Sequence, residues 1–170
     1  DPDPRVAGRG IARMQAAGIE VVRGVGAEAA RWLTRGHVVR VTERRPFVTL
    51  KLAVGADGMV ARGRSSQPVW VTGATARAAG HLLRARADAI LVGSGTVRDD
   101  DPELPCRLPG LSRRSPVRVV LAAEADIAPG ARLLRSAAAV PVWVFAGPGA
   151  PPRAVAALEA CGCRVLRVAS

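Results

Sequence analysis

The chain has 170 residues, 49% of them apolar and only 3% aromatic, and carries a formal charge of +11 with a pI near 11.5. That length suits one domain, or one domain with part of another, and no apolar run approaches the roughly 20 residues needed to cross a bilayer. Lys51 is the only lysine among 25 basic side chains, and arginine's planar fork suits phosphate. The arginines are spread along the chain without a block or interleaved aromatics for bases to stack on, so nucleic acid is the least supported partner.

Val6, Ile11, Ala12 and Met14 recur at roughly helical spacing over 5–17, and Gly18 stops that helix. Residues 19–22 read as a short strand, and a second helix covers 27–33 with Gly36 after it. This leading piece is too small to own a core, so it reads as a segment that packs on something else or as the tail of another domain. Arg44-Arg45-Pro46 marks the boundary, giving units 1–43 and 44–170.

Beyond it, 47–54 alternates as a strand should, and Gly55-Ala56-Asp57-Gly58 turns it. After a polar loop at 62–68 and a short extended run, Val69-Trp70-Val71, the pattern predicts a helix over 74–87. Thr72 or Thr75 is placed to cap it, with Ala76, Ala79 and Leu83 on its inner face. Ala89-Ile90-Leu91-Val92, apolar and short, predicts a strand buried on both faces. It runs into Gly93-Ser94-Gly95-Thr96, where missing Cβ atoms let the backbone turn and approach a ligand. Asp99, Asp100 and Asp101 follow, before Pro102. Ligands of open α/β sheets gather beyond the carboxyl ends of the strands, although a plain glycine turn fits this stretch equally well.

Residues 103–116 are irregular. Strands are expected at 117–121, 141–146 and 164–168, with a helix over 153–160 opened by Pro151-Pro152. Strands alternating with helices predict a mainly parallel α/β sheet with flanking helices. The Asp-Pro-Asp-Pro-Arg beginning and the finish on a strand read as an interior slice of a longer cytoplasmic protein. Cys106, Cys161 and Cys163 form no CxxC pair, and His37 and His81 begin no HxE triplet. No zinc site, disulfide framework or nucleophile–base pair is therefore expected.

Several stretches together resemble one family. They are Arg45-Pro46-Phe47-Val48-Thr49-Leu50-Lys51-Leu52-Ala53 with Asp57-Gly58, and Trp70-Val71-Thr72-Gly73. Leu83-Arg84-Ala85-Arg86-Ala87-Asp88-Ala89-Ile90-Leu91-Val92-Gly93-Ser94-Gly95-Thr96-Val97 and Asp100-Asp101-Pro102 complete the set. In order and spacing this is similar to the reductase domain of the bifunctional riboflavin-biosynthesis deaminase/reductase. The segment from Asp1 to Val21 is similar to the end of that enzyme's cytidine-deaminase-like domain.

The resemblance implies a dihydrofolate-reductase-like α/β domain. It implies NADPH-dependent reduction of the ribosyl group of 5-amino-6-(5-phosphoribosylamino)uracil, and commonly a homo-oligomer. Cofactor contacts are implied at Ala53, Trp70, Thr96 and Asp100, and contacts to the phosphorylated pyrimidine at Ser66, Arg84, Leu104 and Arg107. No catalytic side chain and no metal ligand is implied in this slice. Zinc belongs to the deaminase part, whose HxE and PCxxC pattern is missing: Pro105-Cys106 is followed by Pro at position 109.

The chain also departs from the family pattern. Gly55-Ala56 stands where Ser-Leu is usual, Ser66-Gln67-Pro68-Val69-Trp70 where Ser-Gln-Trp is usual, and Ala122 where an aspartate is usual. The family's later Glu-Gly-Gly stretch is absent. Ala122 and Gly55-Ala56 favour the alternative of a relative that binds nucleotide without turnover. A basic nucleic-acid-binding module is the remaining one.

Overall fold

The computed structural model describes residues 2–60 and 72–169, and the chain separates into two compact units, Asp1–Lys51 and Leu52–Ser170. In the first unit lie α1 (Arg9–Ala16), α2 (Ala27–Leu33) and α3 (Arg35–Glu43), none of which buries a residue. The first two match the expected helices. Residues 19–22 form no strand, and a helix begins at Arg35 where Gly36 was expected to end one. Trp32 stays 66% exposed, with the Arg35 guanidinium 4.3 Å from its ring and 5.0 Å from that of Phe47. Near the start of this unit the buried Asp3 carboxylate accepts from the Arg5 main-chain N–H at 2.8 Å and from its guanidinium at 2.7 Å. Those bonds hold the Asp3 carboxyl down to about 2.

The strand expected at 47–54 is not formed. Val48, Leu50, Leu52 and Val54 are all exposed, so the period-2 pattern survives without a ladder to use it. Strand character requires pairing, and alternation by itself supplies none. The expected turn at 55–58 is present, with Gly58 at φ 75° and its N–H bonded to the Gly55 carbonyl at 3.0 Å.

The second unit runs α4 (Ala74–Arg86), β1 (Ala89–Gly93), α5 (Ser94–Asp100), a short 3-10 turn (Ser112–Arg114), β2 (Val117–Leu121), α6 (Arg132–Arg135), β3 (Val142–Ala146), α7 (Pro152–Ala160) and β4 (Arg164–Arg167). All three strand pairings are parallel, in the order β1-β2-β3-β4, as the alternation of elements predicts. The register places Val92 opposite Val120, Val120 opposite Val144 and Val144 opposite Val165. Cβ atoms alternate along a strand, so these four valines form one row across one face. Leu133 of α6 and Leu158 of α7 join the same buried cluster.

Three local expectations change. β1 is a half-exposed edge of the described sheet, with Leu91 58% exposed, because it pairs only with β2 among the described residues. Gly93 and the residues after it form no tight turn: Gly93 is extended (φ −83°) and Ser94 already begins α5. Along α4 the less exposed stripe is Arg77, Gly80, His81 and Arg84, whereas Ala76, Ala79 and Leu83 are exposed. The helix turns its polar stripe toward the 103–107 segment. Its N-cap is Gly73, without a side-chain cap.

At the carboxyl ends of β2 and β3 one glycine is required by close approach. The Gly147 N–H donates to the Ala123 carbonyl at 2.8 Å, and a Cβ there would lie 3.1 Å from that oxygen.

Candidate functional site

The last turns of α4 and the segment after α5 build a compact basic cluster. Arg84, half-buried, donates from Nη1 to the Pro105 carbonyl at 3.2 Å. His81, one turn earlier, accepts at Nδ1 from the Arg107 main-chain N–H at 3.2 Å. Its own carbonyl accepts from the Cys106 thiol at 3.4 Å, and the Cys106 N–H donates to Ser115 Oγ at 3.0 Å. Positions 81 and 84 share a helical face, and a left-handed Leu104 (φ 67°) bends the following residues toward it. Leu104 itself is 5% exposed, so it can offer a ligand main chain rather than side chain.

The electrostatics of this cluster are one-sided. Desolvation first, and then the Arg107 charge, depress the Arg84 pKa. Desolvation, then Arg84 and Arg107, lower that of His81 below the ordinary 6.5. Glu103 is the nearby carboxylate, but Arg132 holds it at 2.5 Å and Arg107 reaches it only at 3.5 Å. Two guanidiniums that raise each other's energy, with the adjacent carboxylate largely committed elsewhere, favour an incoming anion.

His81 Nδ1 accepts from the Arg107 N–H, and burial beside Arg84 and Arg107 favours the neutral imidazole that this bond requires. Protonation would turn both ring nitrogens into donors and strand the Arg107 N–H. A histidine NMR titration should give a midpoint below 6.5, with the Arg107 amide shifting at that same midpoint. A midpoint at or above 6.5, or an Arg107 amide indifferent to pH, would contradict the geometry.

Thr96 and Asp100 lie four residues apart on α5 and are both exposed beyond the carboxyl end of β1. The neighbouring Gly93 has open space where a Cβ would stand. Beside them is a hollow of about 370 Å³, lined by Val97, Arg98 and Asp101 on one side and by Asp126, Ile127 and Gly130 on the other. An Arg98–Asp126 ion pair of 3.4 Å joins the two sides. Asp101 is engaged: its carboxylate accepts from the Arg132 N–H at 2.8 Å at the start of α6. Asp101, Arg132, Glu103 and Arg107 thus form a polar chain from the α5 surface to the basic cluster.

Of the expected site residues, the structure brings Arg84, Leu104 and Arg107 together and puts Thr96 and Asp100 on one helix face. Ala53 is half-buried, and no hydrogen bond or ion pair among the described residues ties it to either group. Ser66 and Trp70 lie outside the described residues. Sequence reasoning missed His81, set aside as a bare histidine. Its spacing of three from Arg84 was the available signal. No group of metal-ligating side chains occurs among the described residues, and no helix among them is long and apolar enough to cross a membrane.

A parallel α/β domain with an exposed surface beyond the carboxyl end of β1 and a basic cluster beside α4 belongs to the class of open α/β folds that gather ligands at strand ends. Comparison with known proteins narrows that class. Residues 46–169 match the model of the RibD C-terminal domain, and the chain belongs to that family. The riboflavin biosynthesis protein RibD of Bacillus amyloliquefaciens is 38% identical over 97% of this chain and 44% of its own length. The Chlamydia trachomatis protein of that name is 45% identical over 71% of this chain and 32% of its own.

Two solved structures share the fold. One is a diaminohydroxyphosphoribosylaminopyrimidine deaminase/5-amino-6-(5-phosphoribosylamino)uracil reductase from Thermotoga maritima, with TM-score 0.76 and 32% identity over 99% of this chain and 51% of that one. The other is RibD of Acinetobacter baumannii, with TM-score 0.80 and 31% identity over 99% of this chain and 46% of that one. The chain spans less than half the length of these curated relatives.

Proposed function

We propose that residues 44–170 are reductase-domain sequence. In this reading they act in NADPH-dependent reduction of the ribosyl group of 5-amino-6-(5-phosphoribosylamino)uracil to ribityl, as part of a bifunctional riboflavin-biosynthesis enzyme. Residues 1–43 are the tail of its deaminase domain, and the zinc chemistry belongs to that domain. The carrying observation is the half-buried Arg84 guanidinium at the 104–107 bend, which has no ion pair among the described residues and feels the positive charge of nearby Arg107, whose own Glu103 contact is a long 3.5 Å. Family membership supports the same reading.

In this reading Arg84 and Arg107 hold the sugar phosphate by charge-assisted hydrogen bonds, with the Leu104 main chain beside them, and the family resemblance adds Ser66 as a substrate contact. Exposed Thr96 and Asp100, next to the open surface over Gly93, fit a polar cofactor laid against main chain. The family resemblance adds Ala53 and Trp70 to the cofactor contacts. Bound NADPH supplies the hydride, and the chain's own contribution is to orient the substrate carbon and neutralise its phosphate. The enzyme is cytoplasmic and homo-oligomeric.

The nucleotide-binder alternative leaned on Ala122 and Gly55-Ala56; Ala122 is 1% exposed and belongs to the apolar core cluster. A fluorescence titration with NADPH and NADH in parallel tests the reading. Saturable binding that prefers NADPH is expected. A folded chain that binds neither dinucleotide would count against it.

A further inference from the structure

Arg118, in the second position of β2, is completely buried. No carboxylate lies within ion-pair distance of it among the described residues. Its Nη1 donates to the Glu103 carbonyl at 3.1 Å, the Leu133 carbonyl at 2.9 Å and Ser136 Oγ at 2.9 Å. Its Nη2 donates to the Ser136 carbonyl at 3.1 Å and to the Val140 carbonyl. Nε alone has no partner. A guanidinium cannot shed its charge inside a protein, and burying one without an anion is costly. The cost is offset here by carbonyls gathered from two separate stretches, α6 with the turn after it and the residue that opens the 103–107 segment.

We infer that Arg118 is the positioning residue of the basic cluster: through the Glu103 carbonyl it fixes where the 103–107 segment leaves the sheet, and so where Arg107 meets His81 and Arg84. The connection is short and made of specific bonds. Glu103 is followed by the left-handed Leu104 and then by Pro105, whose carbonyl takes the Arg84 bond. Next come Cys106 and Arg107, whose N–H groups go to Ser115 Oγ and His81 Nδ1. Apart from the Arg118–Glu103 bond, these contacts go to α4, the 112–115 turn or exposed side chains. The Arg118 bond runs directly to the central sheet, where β2 pairs on both sides. This inference rests on the anion-site part of the proposed function and not on hydride transfer.

The test compares Arg118→Met with Leu158→Ala, a core change on α7 that touches none of the cluster. In Arg118→Met the His81 pKa should rise toward that of a free imidazole and the Arg107 amide should lose its pH-linked shift. Binding of inorganic phosphate should weaken by about tenfold, the loss expected for one misplaced charge-assisted contact. Leu158→Ala should lower stability and leave all three readouts alone. A folded Arg118→Met with His81, Arg107 and phosphate binding unchanged would overturn the inference, as would equal changes in both variants.

If Arg118→Met does not fold, Arg118→Lys decides by the same readouts, since it keeps the charge and loses the fork. If neither folds, amide hydrogen exchange in the unsubstituted chain decides. The Cys106 and Arg107 amides should then be protected as strongly as those of β2, and much faster exchange would refute the anchor. A chain that binds no dinucleotide yet shows the Arg118→Met changes would remove the reductase reading and keep this one.

Discussion

Arg84→Ala is expected to weaken binding of the phosphorylated pyrimidine by about 10- to 100-fold while leaving NADPH affinity within about twofold. A hydrogen bond to a charged group contributes roughly 1.5–3 kcal/mol, and each 1.4 kcal/mol is about tenfold. Among the described residues Arg84 has the Pro105 carbonyl as its hydrogen-bond partner and no ion pair, so little there competes with the ligand for it. Removing it also relieves the Arg107 charge that faces it, which makes the remaining site less eager for an anion. Arg84→Lys should recover part of the loss, because a point charge replaces the fork without its two parallel donors. Calorimetry for both ligands, or KM for each where turnover is followed, checks this. Equal losses for substrate and NADPH would sink the assignment of Arg84 to the phosphate.

Leu133→Ala is expected to cost about 2–5 kcal/mol of stability, enough to consume much of a typical domain's margin. Leu133, in α6, is fully buried in the same cluster as the valine row. Its removal leaves a cavity that the four-residue helix and the four-stranded sheet cannot close by a small shift. Leu83→Ala, by contrast, should change stability by about 0.5 kcal/mol or less, because Leu83 is 45% exposed on α4. Urea unfolding of the two variants side by side separates them. Similar midpoints would mean that α4 presents Leu83 inward, as its sequence pattern suggests, and that the observed face of that helix is wrong.

Cys163 gives a smaller check on the same core. Burial first pushes its thiol up to about 11, from an ordinary 9.0. The unfolded chain therefore ionises it first as pH rises, so this group's contribution to stability falls away between about pH 9 and 11.

The amino-acid sequence by itself determined the parallel α/β class, the positions of β1, β2, β3, β4, α4 and α7, and the turn at 55–58. Each of these rests on local signals: a short apolar run, a helical stretch, or glycine and proline punctuation. It also marked Arg84, Leu104 and Arg107, through the resemblance of the stretches around them to one family. Only the tertiary structure decided what surrounds each element. Alternation at 47–54 predicts a strand, yet a strand exists only where a neighbour pairs with it. β1 reads as doubly buried, yet its place at the edge of the described sheet exposes Leu91. The stripe on α4 reads as apolar, yet the 103–107 segment draws its Arg84 and His81 side instead.

His81 and Arg118 were silent in the sequence for one reason. A lone histidine or arginine in a chain of scattered arginines gains meaning only from its acceptors and donors. Those come from residues 15 to 26 positions away, brought together when the sheet and its connections close.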